Sequence, residues 1–241
     1  MKRALGVIPA RYASTRFPGK PLASLGGKPL VEHVWRRAIE ADTVDRVIIA
    51  TDDDRIASAC RAFGADVAMT SVEHRSGTDR VAEVAGSLPE LFDVDDPPEM
   101  ATLVEPLEDV DSLFDPNHAK VVATAEGRAL YFSRAPIPYY RGNETFLVPD
   151  FREALAQRPG GLVGYWKHQG IYAYRPDALF ELTRMEPSPL ELDESLEQLR
   201  ALQAGFVIRV VESDFRSITV ETPADLERAA AALAARMEAR S

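Results

Sequence analysis

Residues 9–22 read Pro9-Ala10-Arg11-Tyr12-Ala13-Ser14-Thr15-Arg16-Phe17-Pro18-Gly19-Lys20-Pro21-Leu22, and the fold is decided by this stretch. An apolar run, Ala4 to Ile8, precedes it and has the length of a buried strand. A helical pattern, Pro29 to Ala41, follows it. The stretch is therefore a long loop leaving the C-terminal end of a first strand, the end at which open α/β sheets take their ligands.

The charge of this region sets it apart. The chain carries a formal net charge of -10, yet residues 1–31 hold six basic side chains (Lys2, Arg3, Arg11, Arg16, Lys20, Lys28) and no acid. The rest carries 22 basic and 38 acidic side chains. A locally cationic loop on an acidic protein suits a compact polyanion; nucleic acid needs an extended basic face. Arg11 and Arg16 can fork onto phosphate oxygens, and Lys20 can act as a mobile point charge. Gly19 lets the backbone approach closely, Ser14 and Thr15 offer hydroxyls, and successive N–H groups can form an anion nest. Composition alone leaves a solvated basic loop as the alternative.

Outward from the loop, strand and helix patterns alternate. Arg46–Thr51 reads as a second strand, Arg55–Phe63 as a helix closed by Gly64, and Ala65–Thr70 as a third strand. This rhythm predicts an α/β fold, Rossmann-like, with a mixed, mainly parallel sheet and helices on both faces. Asp52-Asp53-Asp54 stands just before the helix and reads as caps opposing its positive end rather than as a metal site. In His74-Arg75-Ser76-Gly77-Thr78-Asp79-Arg80, Gly77 permits close approach, while Ser76 or Thr78 can cap the next helix.

Composition bounds the rest. At 241 residues with 46% apolar content the chain has enough for a core. We expect one domain over residues 1–241, with a possible small lobe at about 128–175. The lone Cys60 excludes an internal disulfide and sits in a helical pattern as a core residue. No apolar run approaches the ~18 residues of a membrane span, and the N-terminus lacks a signal segment. A cytoplasmic protein with no membrane or nucleic-acid partner is expected.

The 9–22 stretch resembles the signature loop of the CMP-Kdo synthetases, the 3-deoxy-manno-octulosonate cytidylyltransferases. Their pattern is Pro-Ala-Arg-Tyr-x-Ser-x-Arg-x-Pro-Gly-Lys-Pro-Leu, and every specified position matches. Ser76–Arg80, Trp166-Lys167-His168-Gln169-Gly170-Ile171-Tyr172-Ala173-Tyr174, Leu196–Arg200 and Thr222-Pro223 resemble further stretches of the same family. The resemblance implies a nucleotide-diphospho-sugar transferase type of fold with a small dimerisation lobe, and a homodimer. It implies CTP and an acidic eight-carbon sugar as substrates, and Mg²⁺ as cofactor. Arg11 and Lys20 would be catalytic. Ala10, Ser14, Arg16, Ser76, Gly77 and Thr78 would hold the nucleotide. Arg80, His168, Tyr172, Glu197 and Gln198 would contact the sugar acid.

The chain departs from the family at three places. The family continues from the helix after Arg80 into a central strand ending in Val-Gln-Gly-Asp-Glu-Pro, then a helix, then Met-Ala-Thr-Leu. Here Leu91-Phe92-Asp93-Val94-Asp95-Asp96-Pro97-Pro98-Glu99 runs straight into Met100-Ala101-Thr102-Leu103. A metal-binding Asp goes with the missing strand, and Asp93, Asp95 and Asp96 are the nearby carboxylates that could replace it. The family's second metal Asp is Glu221 here, one methylene longer. A His usual in the family is replaced by Leu192, as in relatives that activate 8-amino-Kdo. An incomplete chain, a rearranged sheet and a non-catalytic binding relative all remain open at this point.

The later segments give further expectations. Ala101–Val104, Ala119–Ala125 and Leu130–Arg134 read as strands, the last two forming a hairpin around Glu126-Gly127. Residues 140–162 read as an unpatterned surface excursion. Gln169–Tyr174 and Phe206–Val211 read as strands, and Leu192–Leu202 as one helix. Thr222, Pro223 and Asp225 form a box-like cap for a C-terminal helix.

Overall fold

Side chains along the first strand, β1 (Ala4–Pro9), alternate between two cores. Leu5 and Val7 join one of them, Ile8 the other, and Ala10 just beyond the strand lies with Ile8. This computed structural model describes residues 4–13, 16–88, 98–141 and 151–238. They fall into two compact units, one of residues 1–96 with 218–241, the other of residues 97–217.

In the first unit, a minimal hairpin of β2 (Ser24–Leu25) and β3 (Lys28–Pro29) follows β1. Then come α1 (Leu30–Ala38), β4 (Val44–Thr51), α2 (Asp54–Ala62), β5 (Asp66–Met69) and α3 (Gly77–Gly86). The strands pair in parallel in the order β1-β4-β5. Val31 of α1 and Ile56 and Cys60 of α2 pack on one face with Ile8, Ile49 and Val67. Val84 of α3 packs on the other with Val7, Ile48, Ala50 and Ala68. The doubly covered parallel sheet expected from the strand–helix rhythm is present. Asp53 caps α2 by accepting from the N–H groups of Arg55 and Ile56, as the capping reading of the acidic run requires.

The second unit opens with β6 (Met100–Pro106), α4 (Val110–Phe114), β7 (Lys120–Ala123) and β8 (Ala129–Ser133). It continues through α5 (Phe151–Ala156), β9 (Trp166–Tyr174), α6 (Pro176–Arg184), α7 (Pro189–Glu194), α8 (Gln198–Gln203) and β10 (Ile208–Glu212). Its sheet runs β10-β6-β9-β7-β8, with β10 and β6 parallel and the other pairs antiparallel. The chain then returns to the first unit and ends in α9 (Pro223–Glu238).

Two expectations need correction. Residues 140–162 are not wholly an excursion: α5 lies there, and its Leu155 is fully buried with Leu107, Leu113 and Tyr165 in a small satellite core. The helix expected over Leu192–Leu202 is two helices, broken at Ser195 with φ 51°. Arg200 explains the break. Its Nε and a terminal nitrogen fork onto the Glu191 carboxylate at 2.7 and 2.6 Å. In a straight helix residues nine apart are separated by roughly 13.5 Å along the axis, so this fork requires the chain to turn.

Among the described residues β1 is paired on one side only, through β4. The strands divide between two principal sheets. Asp93, Asp95 and Asp96 lie outside the described residues.

Two lysines are buried in the second unit. Lys120 is fully enclosed and donates to the carbonyls of Asp115, His118 and Arg134 at 2.9, 2.5 and 2.5 Å. Burial pushes its ammonium down to about 8. Lys167 pairs with buried Glu105 at 2.6 Å. Glu105 also accepts from Gln169 at 2.8 Å and from the Ser217 N–H at 2.9 Å. Burial pushes the Glu105 carboxyl up, but the bonds from Lys167, Ser217 and Gln169 outweigh it and leave it below the usual range.

Candidate functional site

The cationic loop of the first unit begins where β1 ends. Ala10 is buried and its N–H continues the ladder to Ala50 O at 2.8 Å. Gly19 has φ 71°, and its N–H bonds to Tyr12 O at 2.9 Å. A Cβ on Gly19 would lie 3.1 Å from the Tyr12 ring, so the left-handed φ and the close ring both call for glycine. The Arg55 guanidinium stacks over the Tyr12 ring, 3.4 Å from its centroid. A single 3-10 turn, Lys20–Leu22, then fixes the direction of Lys20.

Arg16 and Lys20 converge on the segment before α9. The Lys20 ammonium donates to Val220 O at 3.1 Å. Arg16 forms an ion pair with the Glu221 carboxylate. The Oε2 of Glu221 is buried and lacks a well-directed hydrogen bond, although Arg16 opposes its charge. Asp225 holds this segment by accepting from the N–H groups of Glu221 and Thr222, while its own N–H donates to Thr222 Oγ1. The expected cap of the last helix is thus present. Arg11 is exposed; Ser14 lies outside the described residues.

The Ser76–Thr78 stretch reaches the same strand end. A Cβ on Gly77 would lie 3.4 Å from Pro9, so the start of α3 abuts the end of β1. Ser76 and Asp79 close a full capping box. Thr78 is half-buried in the first turn. Arg80 is buried, with its guanidinium on Asp52 at 2.8 Å and on the Thr70 hydroxyl. It ties α3 to the ends of β4 and β5. One end of the parallel sheet therefore gathers a helix start and two convergent cations, a setting for phosphate.

The expected sugar contacts lie in the second unit. His168 and Tyr172 are neighbours on β9, their rings 5.3 Å apart, and Phe132 meets His168 edge-on at 5.2 Å. Burial pushes the His168 imidazole down to about 4, so it is neutral at pH 7. Burial, then Tyr174 and Glu197, raise the Tyr172 phenol well above its ordinary value. Gln198, at the start of α8, is 4% exposed, and its Nε2 has no hydrogen-bond partner. A buried, unpaired amide donor is costly and marks a place for an acceptor.

Thr102, Glu105 and Lys167 carry no functional mark in the sequence. A threonine in an apolar run reads as an ordinary β-branched strand residue. The pairing of Glu105 with Lys167 is set by strand register and leaves no interval in the sequence. Among the described residues no three His, Cys, Asp or Glu side chains are grouped to hold a metal ion.

A family model described as cytidylyltransferase matches residues 5–91 and 88–218. The 3-deoxy-manno-octulosonate cytidylyltransferase of Geobacter metallireducens is 46% identical, over 92% of this chain and 94% of its own length. That of Parabacteroides distasonis is 44% identical over 264 aligned residues, covering 98% of this chain and all of the relative. That alignment is longer than the whole 241-residue chain, so the relative has residues that this chain lacks. The two stretches matched by the family model meet at residues 88–91, where the pattern is interrupted. A solved CMP:2-keto-3-deoxy-manno-octonic acid synthetase complexed with CTP aligns with TM-score 0.81 and 37% identity, over 97% of this chain and 99% of its own. A thymidylyltransferase structure from Bacillus anthracis, 15% identical with TM-score 0.58, shares the fold. With matches of this extent on both sides of the interruption, the chain belongs to the cytidylyltransferase family.

Proposed function

We propose that this chain transfers the cytidylyl group of CTP to an acidic eight-carbon sugar, releasing pyrophosphate and making a CMP-sugar for lipopolysaccharide synthesis. The observation that carries the reading is the convergence of Lys20 and Arg16 at the ligand-binding end of the parallel sheet. A sugar hydroxyl attacks the α-phosphate, its oxygen–phosphorus bond forms, and the bond to the pyrophosphate oxygen breaks. The hydroxyl proton passes to solvent water, so the products are the CMP-sugar, pyrophosphate and a proton. Such chemistry depends on positioning and charge stabilisation. Arg11, Arg16 and Lys20 neutralise the triphosphate; the backbone of Ala10 and the start of α3 at Ser76–Thr78 hold the nucleotide. His168, Tyr172, Glu197 and Gln198 hold the sugar acid. Arg80, engaged by Asp52 and Thr70, keeps the strand ends in place.

The carboxylate of Glu221 suits a Mg²⁺ ion carried mainly by substrate phosphates, since such ions need only one or two protein carboxylates. Its buried Oε2, without a directed hydrogen bond, is the feature that fits. When bound, the ion supplies neutralisation of phosphate charge. Arg16 must then exchange the carboxylate for phosphate oxygens. Glu221→Ala is expected to raise the Mg²⁺ concentration at half-maximal rate on the order of tenfold, about 1.4 kcal/mol. Titration of the rate with Mg²⁺ checks this.

Gln198→Leu separates function from stability. It removes an unpaired buried donor, so the melting temperature is expected to hold or rise, by up to about 1–3 kcal/mol of stability. The sugar KM is expected to rise in the same variant. A drop in both stability and sugar affinity would make Gln198 a packing residue.

Pyrophosphate release with CTP, Mg²⁺ and either Kdo or 8-amino-Kdo tests the activity. Leu192, standing where the family usually has His and 66% exposed, favours trying both sugars. CTP binding without turnover on either sugar would make the chain a non-catalytic binding protein. We further propose a cytoplasmic homodimer. The exposed Leu130 on β8 supports an interface, and no helix among the described residues is long and apolar enough to cross a membrane.

A further inference from the structure

The pairing of β6 with β9 slips beside His168. Thr102 pairs with Tyr172, but the next residue, Leu103, pairs with Gln169, so Gly170 and Ile171 form a two-residue bulge. Bulges re-aim side chains and leave ladder groups unpaired. Here the carbonyls of Gln169 and Ile171 turn toward Thr102 Oγ1, at 3.2 and 2.9 Å. His168 Nε2 lies 2.8 Å from the same oxygen. Thr102 is 2% exposed, so water does not complete this set.

Donor counting fixes the tautomer. A threonine hydroxyl has one hydrogen and two lone pairs. Two carbonyls face it and can only accept, so the hydrogen is directed at them. The contact with Nε2 must then be an N–H donating to Oγ1. A neutral imidazole with its proton on Nε2 has a lone pair on Nδ1. Nδ1 has no partner among the described residues.

We propose that Thr102 is a positioning residue that locks His168 as the Nε2-protonated tautomer, so that Nδ1 accepts a hydrogen bond from a sugar hydroxyl rather than donating to the sugar carboxylate. This rests on the reading of His168 as a sugar contact. The bulge is what allows it, since a regular ladder would consume the Gln169 and Ile171 carbonyls and free the threonine hydrogen.

Two measurements on the full chain test the proposal. Long-range proton–nitrogen NMR on ¹⁵N-histidine-labelled, ligand-free protein reads the tautomer of His168, assigned with a His168→Gln variant. The expected signature is a neutral ring protonated at Nε2. Thr102→Val is expected to abolish that single-tautomer signature, and Thr102→Ser to restore it. In steady-state assays Thr102→Val is expected to raise the sugar KM about tenfold, as for one lost hydrogen bond, with CTP binding unchanged. Thr102→Ser should recover most of it. An Nδ1-protonated His168 in the wild type, or an unaltered tautomer in Thr102→Val, overturns the lock. A Thr102-dependent tautomer with an unmoved sugar KM overturns the use of His168 at the sugar. Neither outcome touches nucleotidyl transfer, which pyrophosphate release reads separately.

Discussion

Lys20→Ala is expected to lower kcat/KM for pyrophosphate release by about 10²–10³-fold while the fold persists, the cost of removing one preorganised group from a developing negative charge. The ground-state structure explains why folding should survive. The Lys20 ammonium donates to a single backbone carbonyl, that of Val220, on a partly exposed side chain. A surface substitution that removes one such contact changes stability little. The loop keeps its course through Gly19 and Tyr12, neither of which depends on the ammonium. Stopped or continuous pyrophosphate assays, with circular dichroism as the folding control, give both readouts. Wild-type turnover in the variant would remove Lys20 from the phosphate site.

Lys167→Met is expected to destabilise the protein by about 3–5 kcal/mol, because removing one partner of a buried pair strands the other charge. Glu105, 3% exposed, would keep its bonds from Gln169 and Ser217 but lose its cation. The pH dependence has a definite sign. In the wild type the Glu105 pKa is lowered, so its stabilising contribution is present above the unfolded value and fades as pH falls through the folded one. In the variant, burial without the ammonium raises the Glu105 pKa, and acid relieves the stranded charge. The stability gap between the two proteins is therefore widest near neutrality, begins to narrow as pH falls through the variant's raised value, and narrows further below the ordinary carboxylate value of 4.5 as the wild type loses its contribution. Urea denaturation at pH 7 and pH 4 measures it. A gap independent of pH would assign the loss to packing alone.

The first unit was largely legible because its signals are local. The β1 apolar run, the Asp53 and Ser76 caps and the turn at Gly64 each depend on residues a few places apart. The second unit was less so. Leu, Glu, Gln and Arg all favour helix, so nothing local reports the break at Ser195, which lies between Glu191 and Arg200, the two ends of a fork nine residues apart. The role of Thr102 needs the β6–β9 register with its bulge, which arises only once the strands have paired. The motif residues of the site were visible as types in a pattern, but the unpaired Nε2 of Gln198 is a property of the packed interior.

The enclosure of Lys120 also decides how the protein meets an acylating reagent. The chain has only five lysines, at positions 2, 20, 28, 120 and 167. Lys120 is wrapped in carbonyls and Lys167 is sealed against Glu105, so neither amine is open to an activated ester. Amine labelling followed by peptide mass mapping thus becomes a sparse footprint in which, among the described lysines, only Lys20 and half-exposed Lys28 are open, and shielding of Lys20 relative to Lys28 by added nucleotide would report occupancy without any turnover.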